Sequence, residues 1–227
     1  MISPRRISAA LAAAAVVFAG VAGAQAPSAG ATIDRASQAF KRASTVRATF
    51  EQTLTNPLTG STSKATGELA LAQPNKAAIR FAQPAGDRVV ADGKWLWVYL
   101  PSSAPGQVLK LPAKSRTPVG FDAVGVLLTS PRSKYEVADG GASTIGGRAT
   151  HAVLLTPKQD GAPIAKAQVW VDDADASIRQ ISLTDANGLV RLMRMTTWTT
   201  NASLPASTFK FDMPAGVRVV DQAGMMR

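Results

Sequence analysis

Residues 87–100 read Asp-Arg-Val-Val-Ala-Asp-Gly-Lys-Trp-Leu-Trp-Val-Tyr-Leu. Two runs rich in β-branched and aromatic residues flank Asp92-Gly93. That arrangement predicts a β-hairpin closed by a type I′ turn. The second run is apolar on both faces: Trp95, Trp97 and Tyr99 share one side, and Leu96, Val98 and Leu100 the other. A sheet with one wet face alternates polar and apolar residues. This strand is therefore either the centre of a thick core or the wall of an apolar cavity. Buried indole and phenol groups need hydrogen-bond partners, and a dry pocket supplies few. The aliphatic side is accordingly assigned to the interior and the aromatic side to the outer surface.

The same two-residue period extends in both directions. Val46, Ala48, Phe50 and Leu54 alternate with polar residues, as do Leu69 and Leu71, then Ala77, Ile79 and Phe81. Asn56-Pro57, Gln73-Pro74-Asn75 and Pro84-Ala85-Gly86 supply the turns. Further strands follow at 107–111, 135–138, 149–156, 165–171, 178–184 and 189–200, with short final strands at 209–211 and 217–220. Nearly all the connections are tight, so the sheet is expected to be antiparallel throughout. Two segments break the pattern. At 32–45, Ile33, Ala36, Phe40 and Ala43 have helical spacing, with Thr32 as the expected N-cap. At 118–129, Phe121, Val124, Leu127 and Leu128 do the same between Pro118 and Pro131. The economical layout is one antiparallel sheet covered on one face by two helices.

Composition narrows the chemistry. The chain has 227 residues, 46% of them hydrophobic and 18% charged, enough to bury a core. It has no cysteine and one histidine, His151. Disulfides, thiolate metal sites, cysteine nucleophiles, a lipid on an N-terminal cysteine and multi-histidine metal sites are excluded, and neither a metal nor a cofactor is expected. Arg5 and Arg6, an apolar run over 7–21 and Ala22-Gly23-Ala24 form the three parts of a secretory signal peptide, cleaved near Ala24. Residues 1–24 are thus expected to be removed, leaving 25–227 as a single domain in the periplasm. The net charge of +10 is dispersed. It reads as a solvated surface, or as attraction to anionic headgroups, acidic proteins or cell wall, and nucleic acid is not an expected partner. Serines lack a nucleophile-elbow glycine pattern, and His151 lies in a strand pattern beside apolar residues, so it reads as a structural or surface histidine. Asp172, Asp173 and Asp175 lack calcium-loop spacing and read as a polar turn.

Several strings, in order, resemble the LolA family of periplasmic outer-membrane lipoprotein carriers. They are ATFEQTL (48–54), GELALAQPNKAAIRF (67–81), PAGDRVVADGKWLWVYLP (84–101), VWVDDADASIRQISLTDANG (169–188) and FKFDMPAGVRVV (209–220). The resemblance covers nearly the whole mature chain. It implies a mainly β fold: an open, incomplete antiparallel β-barrel of about eleven strands with an α-helical lid. It implies a monomeric, non-enzymatic chaperone that shelters the acyl chains of lipoproteins in an apolar cavity. The implied partners are acylated lipoproteins, an inner-membrane lipoprotein-releasing ABC transporter and an outer-membrane lipoprotein receptor. The cavity is expected to involve Phe40, Phe50, Leu69, Leu71, Ile79, Phe81, Leu96 and Val98, with Phe121, Leu127 and Leu128 packing over them from the mid-chain helix. The family commonly carries an arginine before the proline that ends the second strand, where it helps hold the lid closed. Here that position is Gln73, and Arg80 is the candidate substitute for the latch. The family's receptor relatives are lipidated on cysteine, a form this chain cannot take. An envelope sensor or lipid-binding domain of the same fold is the first alternative, and an exported hydrolase the second.

Overall fold

The structure, a computed structural model, describes residues 28–113 and 122–221. The expected signal peptide, Pro118 and Phe121 lie outside the described residues. Helix α1 (Ala29–Arg42) leads into β1 (Thr45–Thr55), β2 (Thr62–Ala72), β3 (Lys76–Gln83), β4 (Arg88–Ala91), β5 (Trp95–Tyr99) and β6 (Gln107–Pro112). Two short helices, α2 (Ala123–Leu128) and α3 (Pro131–Lys134), separate these from β7 (Tyr135–Ile145), β8 (Arg148–Pro157), β9 (Ile164–Asp172), β10 (Ile178–Asp185) and β11 (Val190–Thr200). A 3-10 turn (Ala206–Phe209) precedes β12 (Arg218–Asp221).

All the strands among the described residues belong to one twelve-stranded open sheet, in the order β12-β6-β5-β4-β3-β2-β1-β11-β10-β9-β8-β7. Every pair is antiparallel except β12 with β6. The parallel pair corrects the expectation of an antiparallel sheet throughout. It arises because residues after β11 cross the convex face to the far edge before pairing, a route tight turns cannot take. The expected strand at 209–211 is part of that crossing. Phe209 ends the 3-10 turn and Phe211 follows in irregular chain. Both phenyl groups pack on the convex face with Leu204, against Ala70, Ala78 and Val90. Their period of two reflects an extended strap and not a ladder. Arg80 Nη1 and Arg88 Nη2 fasten the strap by donating to the carbonyls of Thr208 (3.1 Å) and Asp212 (3.0 Å).

Three further boundaries differ from the sequence reading. Ser28, not Thr32, caps α1: its Oγ accepts the N–H of Ala31, and Thr32 is fully buried one turn later. A third helix, α3, starts with Pro131 at its first turn, where a missing N–H costs nothing. The β4–β5 turn has positive φ at Gly93 alone, so it is not type I′. Asp92 closes it by another route, its Oδ1 accepting the N–H groups of Lys94 (2.8 Å) and Trp95 (2.7 Å).

The main core lies on the concave side of the sheet. Ile33, Ala36 and Phe40 of α1 and Val124, Leu127 and Leu128 of α2 pack there against inward residues from β1–β3, β5 and β8–β11. On β5, Leu96 and Val98 enter this core. Trp97 faces the convex side, stacked on Phe211 with ring centroids 5.2 Å apart, and its Nε1 donates to Asp92 Oδ2 at 3.0 Å.

Candidate functional site

Strand pleating decides which side chains meet under the helices. On β1, Phe50 points inward and is buried; its register partner on β2 is Gly67. A Cβ on Gly67 would lie 3.0 Å from Phe50 Cζ and would collide with the carbonyl oxygen of Arg80. Glycine therefore lets β2 and β3 close up beneath the phenyl ring. Phe81, half-buried, meets the same ring edge-on at 5.7 Å. Leu69, Leu71 and Ile79 complete this patch, and Leu96 and Val98 extend it along β5. Phe40 covers it from α1. Leu127 and Leu128 cover it from α2 and are essentially inaccessible to solvent.

The cover is incomplete. A cavity of about 310 Å³ opens beside α2, with Phe40, Leu71, Ile79, Val89 and Leu96 as its apolar wall and Val126 at its edge. Gln73, Asn75, Asp122 and Lys134 give it a polar rim. The N-terminal part of α2 sits closer to the sheet. There Ala123 and Val124 leave a gap of only about 10 Å³ over Phe50, Leu69, Ile79 and Met193.

The fastenings of α2 were not among the residues singled out from sequence. Ser37 Oγ of α1 donates to the carbonyl of Leu128, the last residue of α2, at 2.6 Å. Arg132 of α3 pairs with Asp34 of α1 at 3.1 Å. Asp122 caps α2, its Oδ1 accepting the N–H of Gly125 at 3.0 Å. Burial raises the pKa of Asp122, and the Gly125 N–H and the charge of Lys134 offset only part of that. A Cβ at Gly125 would lie 2.5 Å from this carboxylate. Ser37 was visible as a polar residue one turn after Ile33, on the apolar stripe of α1.

The two latch candidates part company. Gln73 Nε2 donates to the carbonyl of Phe40 at 3.5 Å, and its backbone N–H donates to Ser44 at 3.0 Å, so Gln73 binds the end of α1. Arg80 lies on the convex face, because Ile79 next to it points inward. It holds the strap and does not reach the helices. His151 is buried in β8 with Nε2 2.5 Å from Asp139 Oδ1. Of the acidic trio, Asp173 and Asp175 are exposed in the β9–β10 turn, but Asp172 is 1% exposed. It accepts from Arg148 (2.7 Å) and Arg179 (2.8 Å).

An open sheet curled around an apolar face, with helices laid over that face, is the frame on which the sequence comparisons bear. The profile of the family described as "Outer membrane lipoprotein carrier protein LolA" matches residues 41–212. The chain belongs to the LolA family. Relatives named outer-membrane lipoprotein carrier protein include one from Dechloromonas aromatica, 26% identical over 84% of this chain and 88% of its own length. Another, from Chromobacterium violaceum, is 26% identical over 91% of this chain and 94% of its own length. Among solved structures, an uncharacterized conserved protein from Thermus thermophilus matches with a TM-score of 0.54, 14% identity and coverage of 84% of this chain and 96% of that one. It shares the fold. The open sheet with helices over one face agrees with the fold that the resemblance implied.

Proposed function

We propose that this LolA-family chain is a periplasmic lipoprotein carrier whose concave face shelters acyl chains while α2 serves as a lid. The observation that carries this reading is a buried apolar face covered by a six-residue helix. That helix is fastened at its end by one side-chain hydrogen bond and leaves a cavity at its edge. A volume of about 310 Å³ is at the small end of ligand pockets, which run to about 1,000 Å³. A lipid with several acyl chains requires α2 to move outward.

The energies allow it. Lifting Val124, Leu127 and Leu128 off the sheet costs roughly 5–9 kcal/mol, taking about 1.5–3 for each buried side chain. Burying one chain of about sixteen carbons at ~0.8 kcal/mol per CH₂ returns about 12 kcal/mol. The acyl chain and the lid compete for one surface on comparable terms, so loading and release need no covalent chemistry and no catalytic residue. The signal peptide would be removed near Ala24 and the remaining single domain would work as a soluble monomer. It would collect acylated lipoproteins from an inner-membrane ABC transporter and pass them to an outer-membrane receptor.

The test is isolation of the chain from the periplasm and mass spectrometry of what accompanies it, alongside Leu71→Asp, which puts a charge on the sheet wall that lid and acyl chain share. The carrier reading predicts acylated lipoproteins bound to the wild type and depleted by at least about tenfold in the variant. An unloaded wild type, or equal loading of a correctly folded variant, contradicts it.

A further inference from the structure

One charged side chain sits on the concave face beyond the reach of α2. Arg191 shares the inward side of β11 with Met193 and Met195. Leu192 and Arg194 face out, and Arg194 pairs with Glu51 at 2.7 Å. Arg191 is half-buried, and its Nη1 donates to Oε1 of Gln52 at 2.8 Å. Gln52 is itself buried, two residues along β1 from Phe50 and in register with Met193. A neutral amide oxygen is a modest partner for a guanidinium with five N–H donors. Among the described residues Arg191 takes part in no ion pair. The carboxylate that acts on it from a distance, Asp185, spends Oδ1 on the N–H groups of Asn187 (2.8 Å) and Leu189 (3.0 Å) in its own turn. Burial accordingly lowers the pKa of Arg191, and Asp185 restores only part of the loss.

An inward cation with spare donors, beside an apolar face, is poorly matched to acyl chains alone. It is well matched to a ligand whose chain lies on Phe50 and Met193 and whose head carries oxygen-borne negative charge. We propose that Arg191, held in place by Gln52, is a headgroup anchor on the concave face, selective for amphiphiles with an oxyanion head. The anchor rests on the reading that acyl chains occupy this face. Arg191 contacts the ligand, and Gln52 is a positioning residue that fixes the guanidinium.

Carboxylate and phosphate heads share this chemistry, and a binding series separates them. Purified chain is titrated at neutral pH with palmitate, 1-palmitoyl lysophosphatidic acid and monopalmitoylglycerol. A charge-assisted hydrogen bond in a buried site predicts that one or both anionic probes bind about tenfold or more tightly than the neutral one. The stronger of the two identifies the head. Arg191→Met should erase that preference while still binding monopalmitoylglycerol, and Arg191→Lys should retain part of it. A variant that merely unfolded would lose the neutral probe as well. Equal binding of charged and neutral probes by the wild type, or a preference that survives in Arg191→Met, overturns the anchor and leaves the carrier reading standing. No binding of any probe overturns both.

Discussion

Asp122 joins two demands on one side chain: it caps α2 and it stands on the rim of the cavity. Its raised pKa means that the folded chain holds the proton more tightly than the unfolded one. Stability therefore falls as pH rises from the ordinary carboxylate range through the raised value. Asn caps a helix as well as Asp does. Asp122→Asn should melt above the wild type at pH 7, with the gap closing as pH falls towards 4 in paired melting curves. A gap that does not change with pH would remove the charge from the explanation. Asp172 carries the opposite sign. Burial opposes its ionisation, but Arg148, the Ala174 N–H and Arg179 outweigh it and hold the carboxyl well below the usual range. Its contribution is present above the unfolded pKa and fades in strong acid. Asp172→Asn leaves Arg148 and Arg179 with Asp175, 3.2 Å from each, as their remaining carboxylate partner. Because Arg148 is 45% exposed and Asp175 still pairs with both arginines, the expected loss is that of hydrogen bonds to a charged group, about 1.5–3 kcal/mol by chemical denaturation. From sequence this carboxylate was indistinguishable from Asp173 and Asp175, because side-chain burial at a turn depends on which neighbouring strand faces it.

At the scale of elements, α2 is an apolar helix too short to be stable alone, so what fixes it is tertiary. Ser37→Ala removes the 2.6 Å bond to Leu128 and leaves a buried carbonyl short of a donor. We expect a cost of about 1–3 kcal/mol to the closed position and tighter binding of a fluorescent hydrophobic probe, with the melting of the sheet little changed. Weaker or unaltered probe binding would mean that α2 is not the moving part. The strands were legible because a period of two and the turn residues carry local information, and β5 shows this best: Leu96 and Val98 are in the core and Trp97 is outside it. Both long-range features of the sheet were illegible. The β12–β6 pairing and the strap at 201–217 join segments with no shared local pattern, and Phe209 and Phe211 imitate a strand. The turn after Ala91 misled for a similar reason. Asp-Gly marks a turn, but a carboxylate that caps its own turn changes the turn's type. Helical spacing revealed α2, but its bond to Ser37 spans ninety-one positions and leaves no trace in either segment.

The described residues form a twelve-stranded open sheet with two dissimilar faces. The convex face is closed by the strap and carries Trp97 against Phe211. The concave face is closed by helices and carries the aliphatic side of β5. The proposed carrier function assigns acyl chains to the concave face, beneath α2. The four tryptophans divide usefully between the two faces. Trp198 pairs with inward Ala48 and packs against the main core, close to Phe40 and Leu128. Trp97 lies on the opposite side. The most direct test is tryptophan fluorescence of two variants, one retaining only Trp198 and the other only Trp97, titrated with a lipopeptide whose acyl chains are brominated. The account predicts strong, saturable quenching at Trp198 and little at Trp97. Saturable quenching at Trp97 with none at Trp198 would place the lipid on the convex face and contradict it.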